Sequence, residues 1–507
     1  MPERNCYDQV IVPDSISVEG RLSPRAVALW LFAVFQFFYL LTSTGRVRTP
    51  DEYNTLYTTE SLVLHGTTAV PQAVALHNFY GRLDVHGQPR AAYPPGQALA
   101  VTPWYAFGQY ILARLPGVPH DPNNDDTDLI VAFASCLSSA TFAALTVTFF
   151  FLILSGIGTP PRAALTAAAI LGLATPVFAY SAWLFSEPLS AAIFTGIAWA
   201  LFARASAPVS TKAAAIAGLM LGFATIIRPT NVLAIAIFAL AILARDGKPA
   251  LRSAIALCTA SAIGIGILLA HNAILFGSPF QFGYPDTAEG AKRLNTFDTP
   301  ILTGFYGFLF SPGKSIFIFA PPILLAIAGL RSLWLRERGL AALAVLFPIA
   351  GILFYARYSQ WEGGYCVGPR YLVPALVFFC LGLGPALASG SAKIKTAAFV
   401  LFVAGVFVQV VSIATSFMED QVPRGHYYDA NWTYRLDYSL SGPVHLLFKY
   451  LGSPGPARLG LGWDRWFVFL AKAGVSRATL AVVAAAMLAG LAISLLGLVK
   501  SVQRTGV

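Results

Sequence analysis

Apolar runs of bilayer-crossing length recur along this 507-residue chain and constrain its fold more than any other feature. A spanning helix needs about 20 predominantly apolar residues. Such runs lie near 26–43, 129–155, 164–183, 188–203, 213–227, 230–244, 253–276, 315–330, 340–356, 371–389, 396–417 and 478–499. Residues are 56% hydrophobic and only 11% charged, whereas a soluble domain carries about 25% charged residues. The expectation is an all-α polytopic membrane protein with about 12 transmembrane helices. Residues 97–113 are also apolar, but Pro103, Gln109 and the Pro94-Pro95 start favour an interfacial helix. Aromatics at 13% and aperiodic glycine exclude disorder and collagen, and five cysteines with no C-x-x-C pair form no disulfide framework.

Lys and Arg concentrate in cytoplasmic loops, which orients the chain. With a cytoplasmic N-terminus and alternating spans, the inner segments hold 16 of the 34 basic residues and six of the 24 acidic ones. The whole net charge of +10 then lies inside. Counting 97–113 as a span would flip every later loop and destroy this asymmetry. No dense basic run tracks a nucleic-acid backbone, so no nucleic-acid partner is expected. No cleavable signal is visible, so the first run is expected to be a retained helix. The divisions are a cytoplasmic tail (1–25), a transmembrane core with its outer loop 44–128 (26–417), an outer membrane-apposed segment (418–477), and a last helix with cytoplasmic tail (478–507). An Ala/Gly/Arg bias points to a bacterial inner membrane.

The remaining chemistry crowds the outer segments. Asp51 and Glu52 follow Pro50 directly after the first span. They can be a solvated helix start that complements the dipole, or a general base and its partner. Tyr93 precedes Pro94-Pro95, which fix an extended backbone. Glu187 before Pro188 is either capping chemistry or a site residue. Arg228 at an outer helix end either snorkels or faces a cavity, and Lys314 either snorkels or clamps an anion in a pocket roofed by aromatics. The densest segment is YARYSQWEGGYCVGPRYLVPAL, which holds Arg357, Trp361, Glu362, Gly363, Gly364, Gly368, Arg370 and Tyr371. Glycines permit close approach of a ligand, and paired arginines hold phosphate by charge-assisted hydrogen bonds. The alternative is a tight helix connection with snorkelling arginines. P-loop, HExxH and nucleophile-elbow motifs in a fitting context are missing from the sequence, and its seven histidines show no zinc spacing.

These residues carry a resemblance. The chain resembles the multispanning GT-C glycosyltransferases, especially bacterial members related to protein O-mannosyltransferases and the aminoarabinose transferase of lipid A. The matching features are the Asp51-Glu52 pair after the first span, the Pro94-Pro95 pair later in that loop, and a dozen spans with a C-terminal outer region. The blocks FLFSPGKSIFIFAPP and WEGGYCVGPRYLVP resemble blocks of bacterial proteins in that class. Where relatives often carry a basic residue before the proline pair, this chain has Tyr93, which makes Lys314 and Arg370 the better phosphate candidates.

The resemblance implies transfer of a sugar, hexosyl or pentosyl, from a polyprenyl-phosphate-linked donor to a hydroxyl on the outer (periplasmic) face. The acceptor would be a lipid, glycan or protein, and membrane lipids would surround the site. Asp51 would be the general base, and Glu52 would orient Asp51, the acceptor or a metal ion. Lys314, Arg370, Arg357 and Arg228 would hold the donor phosphate. Tyr93, Glu187, Trp361, Glu362 and Tyr371 would line the pocket. Mg²⁺ or Mn²⁺ is compatible with this chemistry, although no ligand spacing calls for it. The competing expectation is a transporter or flippase of a lipid-linked glycan, which would place ionisable groups deep within several spans. Here the span interiors are nearly free of charge.

Overall fold

Proline and glycine positions decide where the apolar runs become helices and how closely those helices pack. In the computed structural model the described residues are 24–504, without 78, 117, 119–128, 204–207, 286–287, 290–291, 294–295, 365 and 415–464. Among the described residues eight helical stretches are long and apolar enough to cross a membrane: Pro24–Thr42, Leu129–Gly156, Pro229–Asp246, Lys248–Phe276, Arg338–Tyr355, Arg370–Ala388, Ala392–Ala414 and Arg477–Gln503. Three shorter apolar helices, Pro161–Ala174, Glu187–Phe202 and Thr211–Ile227, pack among them. The β-structure among the described residues is two small hairpins, Gly81–Leu83 with Pro89–Ala91 and Ala288–Glu289 with Lys292–Arg293. Large apolar side chains such as Leu29, Ile263, Phe399 and Leu496 point outward, more than half exposed. An apolar exterior of this kind suits lipid rather than water. The chain is a predominantly helical integral membrane protein.

Two expected spans are interrupted. The run 164–183 is helical only through Ala174, and Pro176 starts a separate short turn, Pro176–Tyr180. Proline has no N–H to continue the ladder, and the Thr175 side chain caps the new turn by accepting from the Val177 N–H. Residues 181–186 then lead without helix to Glu187. The run 315–330 is split by Pro321-Pro322 into Ile316–Phe319 and Ile323–Arg336. Residues 97–113 form the helix Gly96–Tyr110, packed on Leu129–Gly156 and Pro50–His65. Of the outer segment 418–477, residues 418–464 fall outside the described residues. The described part places Trp466 in a short helix against Phe133.

Small residues set the depth of packing around the polar face. Thr211–Ile227 lies backbone to backbone on Leu251–Phe276, and a Cβ on Gly264 would sit 2.2 Å from the Gly222 carbonyl carbon. Gly96 approaches the end of the same helix, where a Cβ would meet the Ile226 carbonyl carbon at 2.5 Å. In lipid, helices associate through such close contacts rather than through water exclusion. The Pro94-Pro95-Gly96 loop is thereby fixed beside Arg228, which ends that helix.

Candidate active site

Asp51 owes its position to the residue beside it. Thr49 is the N-cap of Pro50–His65 and forms a capping box with Glu52. Glu52 is fully buried; its Oε2 accepts from the N–H groups of Arg48 and Thr49, both at 3.1 Å, and its Oε1 accepts from the Leu184 N–H at 3.0 Å. Burial pushes its carboxyl above the usual range, and the charge of Arg48 and these backbone N–H groups oppose that shift. The carboxylate pins the loop after the first span to the 181–186 connection. Its oxygens are committed to that task, so the expected role of orienting an acceptor or metal ion does not match its surroundings.

Asp51, one position earlier, turns toward a set of side chains from four distant segments. Its Oδ1 accepts from the Tyr93 hydroxyl and its Oδ2 from Arg370 Nη1. Burial, followed by the Asp51 charge, pushes the Tyr93 phenol well above its ordinary value, so it remains a donor. Arg370 Nε also donates to Glu187 Oε1 at 2.9 Å, and Arg228 Nη1 donates to that same oxygen. The result is a line of alternating charge, Asp51, Arg370, Glu187, Arg228, with formal charges that cancel.

Aromatic faces close the cluster. The Arg370 guanidinium lies 4.0 Å from the Phe185 ring centroid, and that of Arg228 lies 4.5 Å from Tyr371. Tyr371 stacks on Tyr355 at 4.4 Å, and the Tyr355 hydroxyl donates to Thr230 Oγ1 at 2.7 Å. Tyr284 meets Tyr93 edge-on at 5.6 Å, and burial pushes its phenol up to about 12. Phe185, Tyr284 and Tyr355 were not among the expected site residues. The available sequence signal is a repeated Tyr-Pro step, Tyr93-Pro94 and Tyr284-Pro285.

The glycine-rich segment delivers Arg370. Gly363 has φ +85°, and a Cβ there would lie 2.9 Å from Cys366 Sγ and 3.1 Å from the Arg370 Cβ. That positive φ and close approach favour glycine. Lys314 is buried beneath the same segment and donates from Nζ to the Cys366 carbonyl at 3.1 Å. Trp361 is buried against Phe308 and fills the space over Gly307, where a Cβ would come within 2.1 Å of its ring. Glu362 is buried too, and its carbonyl accepts from Cys366 Sγ at 3.4 Å. These three residues hold the loop behind Arg370. Arg357 is exposed and donates to the Phe297 carbonyl at 3.1 Å. The expected four-residue basic clamp therefore divides: Arg228 and Arg370 converge, Lys314 supports from below, and Arg357 belongs to another surface.

Among the described residues no group of three or more His, Cys, Asp or Glu side chains is placed to hold a metal ion. Asp51 and Glu187 face guanidinium groups instead.

No family model and no curated protein matches the sequence. Among solved structures, the chain is similar to ArnT from Cupriavidus metallidurans in the apo state, at 14% identity and TM-score 0.48, over 94% of this chain and 76% of that one. ArnT from the same organism bound to undecaprenyl phosphate gives 15% identity and TM-score 0.45, with the same coverage.

Proposed function

We propose that this chain is a membrane glycosyltransferase of the GT-C type, moving a sugar from a polyprenyl-phosphate carrier to an acceptor hydroxyl on the outer face of the membrane. The observation that carries the reading is the Asp51–Arg370–Glu187–Arg228 line. It brings two carboxylates and two guanidinium groups together where several helices begin or end. The charge distribution of the loops supports an outside position for those ends.

In this reading Asp51 accepts the proton of the acceptor hydroxyl, whose oxygen attacks the anomeric carbon. The bond from that carbon to the phosphate oxygen breaks, and the carrier phosphate leaves with the electron pair. Arg228 and Arg370 stabilise the charge that develops on it. A phosphate leaving group needs no strong general acid, so one base suffices, and a single displacement inverts the anomeric centre. Tyr93 keeps Asp51 oriented, while Tyr371 and Phe185 hold the guanidinium planes by cation–π contact.

The deciding experiment supplies polyprenyl-phosphate sugars to the purified protein. Native mass spectrometry would follow the bound carrier, and a product assay would follow transfer. Wild type should bind the carrier and turn over, whereas Asp51→Asn should bind it without turnover. Full activity in Asp51→Asn would remove the proposed mechanism. Movement of intact lipid-linked sugar across vesicles, without transfer, would replace it with the flippase reading.

A further inference from the structure

A second site lies at the opposite end of the Arg370–Ala388 stretch, roughly 27 Å of helix from Arg370. There a cavity of about 580 Å³ opens where Pro161–Ala174, the end of Arg370–Ala388 and the start of Ala392–Ala414 meet. Its walls include Ala169, Ile170, Leu387, Ala398, Phe399 and Phe402. The charged residues lining it are Arg162 and Lys395; no acidic residue contributes. Both cations are exposed, and among the described residues neither side chain has an ion pair or hydrogen bond.

Two further facts sharpen the electrostatics. Arg162 is the second residue of Pro161–Ala174, and Lys395 is the fourth of Ala392–Ala414. Each cation therefore sits in the first turn of a helix, where unpaired backbone N–H groups already present positive charge. A cationic mouth over an apolar trough is the complement of a molecule with an anionic head and a hydrocarbon tail.

We propose that this cavity binds one anionic phospholipid, with its phosphate between Arg162 and Lys395 and an acyl chain along Phe399 and Phe402. The charge asymmetry of the loops places this mouth on the cytoplasmic side, where anionic lipids attract basic groups near the membrane surface. The proposal is independent of the transferase reading, because it uses no residue of the Asp51 cluster.

The test is competitive native mass spectrometry of the full chain in detergent with dioleoyl phosphatidylglycerol and dioleoyl phosphatidylcholine. Wild type should retain phosphatidylglycerol saturably and in preference. Arg162→Gln/Lys395→Gln should weaken that retention by about fivefold per cation removed. Ala169→Trp keeps both charges but fills the trough, and should also lose the lipid. Undiminished phosphatidylglycerol binding in the double variant overturns the proposal. So does equal retention of the two lipids by wild type. Displacement by millimolar inorganic phosphate alone would make this a free-anion site and would overturn the lipid. Should Ala169→Trp fail to fold, the double variant decides the matter, since its changes lie on exposed side chains.

Discussion

Glu52 and Glu187 are both buried carboxylates near the polar face, at 0% and 2% exposure, but their surroundings differ in kind. Glu52 is saturated by backbone: three N–H groups and the Thr49 hydroxyl converge on its two oxygens. Glu187 is held by two guanidinium side chains on a single oxygen, and its Oε2 has no hydrogen-bond partner among the described residues. A carboxylate bonded to backbone cannot change partners without moving the chain. One bonded to guanidinium groups can exchange when a ligand brings its own negative charge. The first arrangement builds a rigid frame, and the second leaves a site with capacity to respond. A buried ion pair is weak evidence for stability, so the Asp51–Glu187 line is better understood as chemistry that the Glu52 frame positions.

The largest expected effect separates the neighbours Asp51 and Glu52. Asp51→Asn should lower turnover by about 10² to 10⁴ with carrier binding retained, measured by single-turnover transfer. Glu52→Ala should instead lose roughly 3 kcal/mol of stability, since it orphans buried N–H groups; denaturation in detergent reads this. If Glu52→Ala folds normally and matches the kinetic loss of Asp51→Asn, the division between frame and site fails.

Arg228→Gln should weaken carrier binding by about ten- to a hundredfold, the worth of one or two charge-assisted hydrogen bonds, with the folded state preserved. Unchanged affinity would leave Arg370 as the sole phosphate contact. Tyr93→Phe removes only a hydroxyl, so a loss of about fivefold in kcat is expected, with little change in KM.

The smallest effect is a pH slope in stability. Burial raises the Glu52 carboxyl above its ordinary value, so the native state holds this proton to higher pH than the unfolded chain. Its contribution should therefore decline as pH rises from the ordinary glutamate value through the raised one, and flatten above it. Comparing the wild-type pH–stability curve with that of Glu52→Gln checks the sign, because the variant should lack this component.

Much of the architecture was legible in residue order. Length and polarity marked the apolar runs, and the 97–113 run became the helix Gly96–Tyr110 with Pro103 inside it. Breaks at Pro176 and Pro321-Pro322 were also written in the chain, although composition alone made those runs look continuous. Asp51, Glu187, Arg228 and Arg370 could be singled out as unusual, each at a helix end. Their partners could not, because Asp51 and Arg370 are 319 residues apart and no local pattern encodes that meeting. Lys314 and Trp361 show the reverse case: conspicuous in sequence, they pack against and support the loop behind Arg370.

The sequence by itself determined that this chain enters a membrane, because transfer of apolar area depends on residue type and order. Only the tertiary structure decided which of two adjacent carboxylates is held by backbone and which meets side chains from distant segments. That choice rests on the direction each side chain takes from the first turn of one helix: Glu52 back to its own cap and Leu184, Asp51 across to Tyr93 and Arg370.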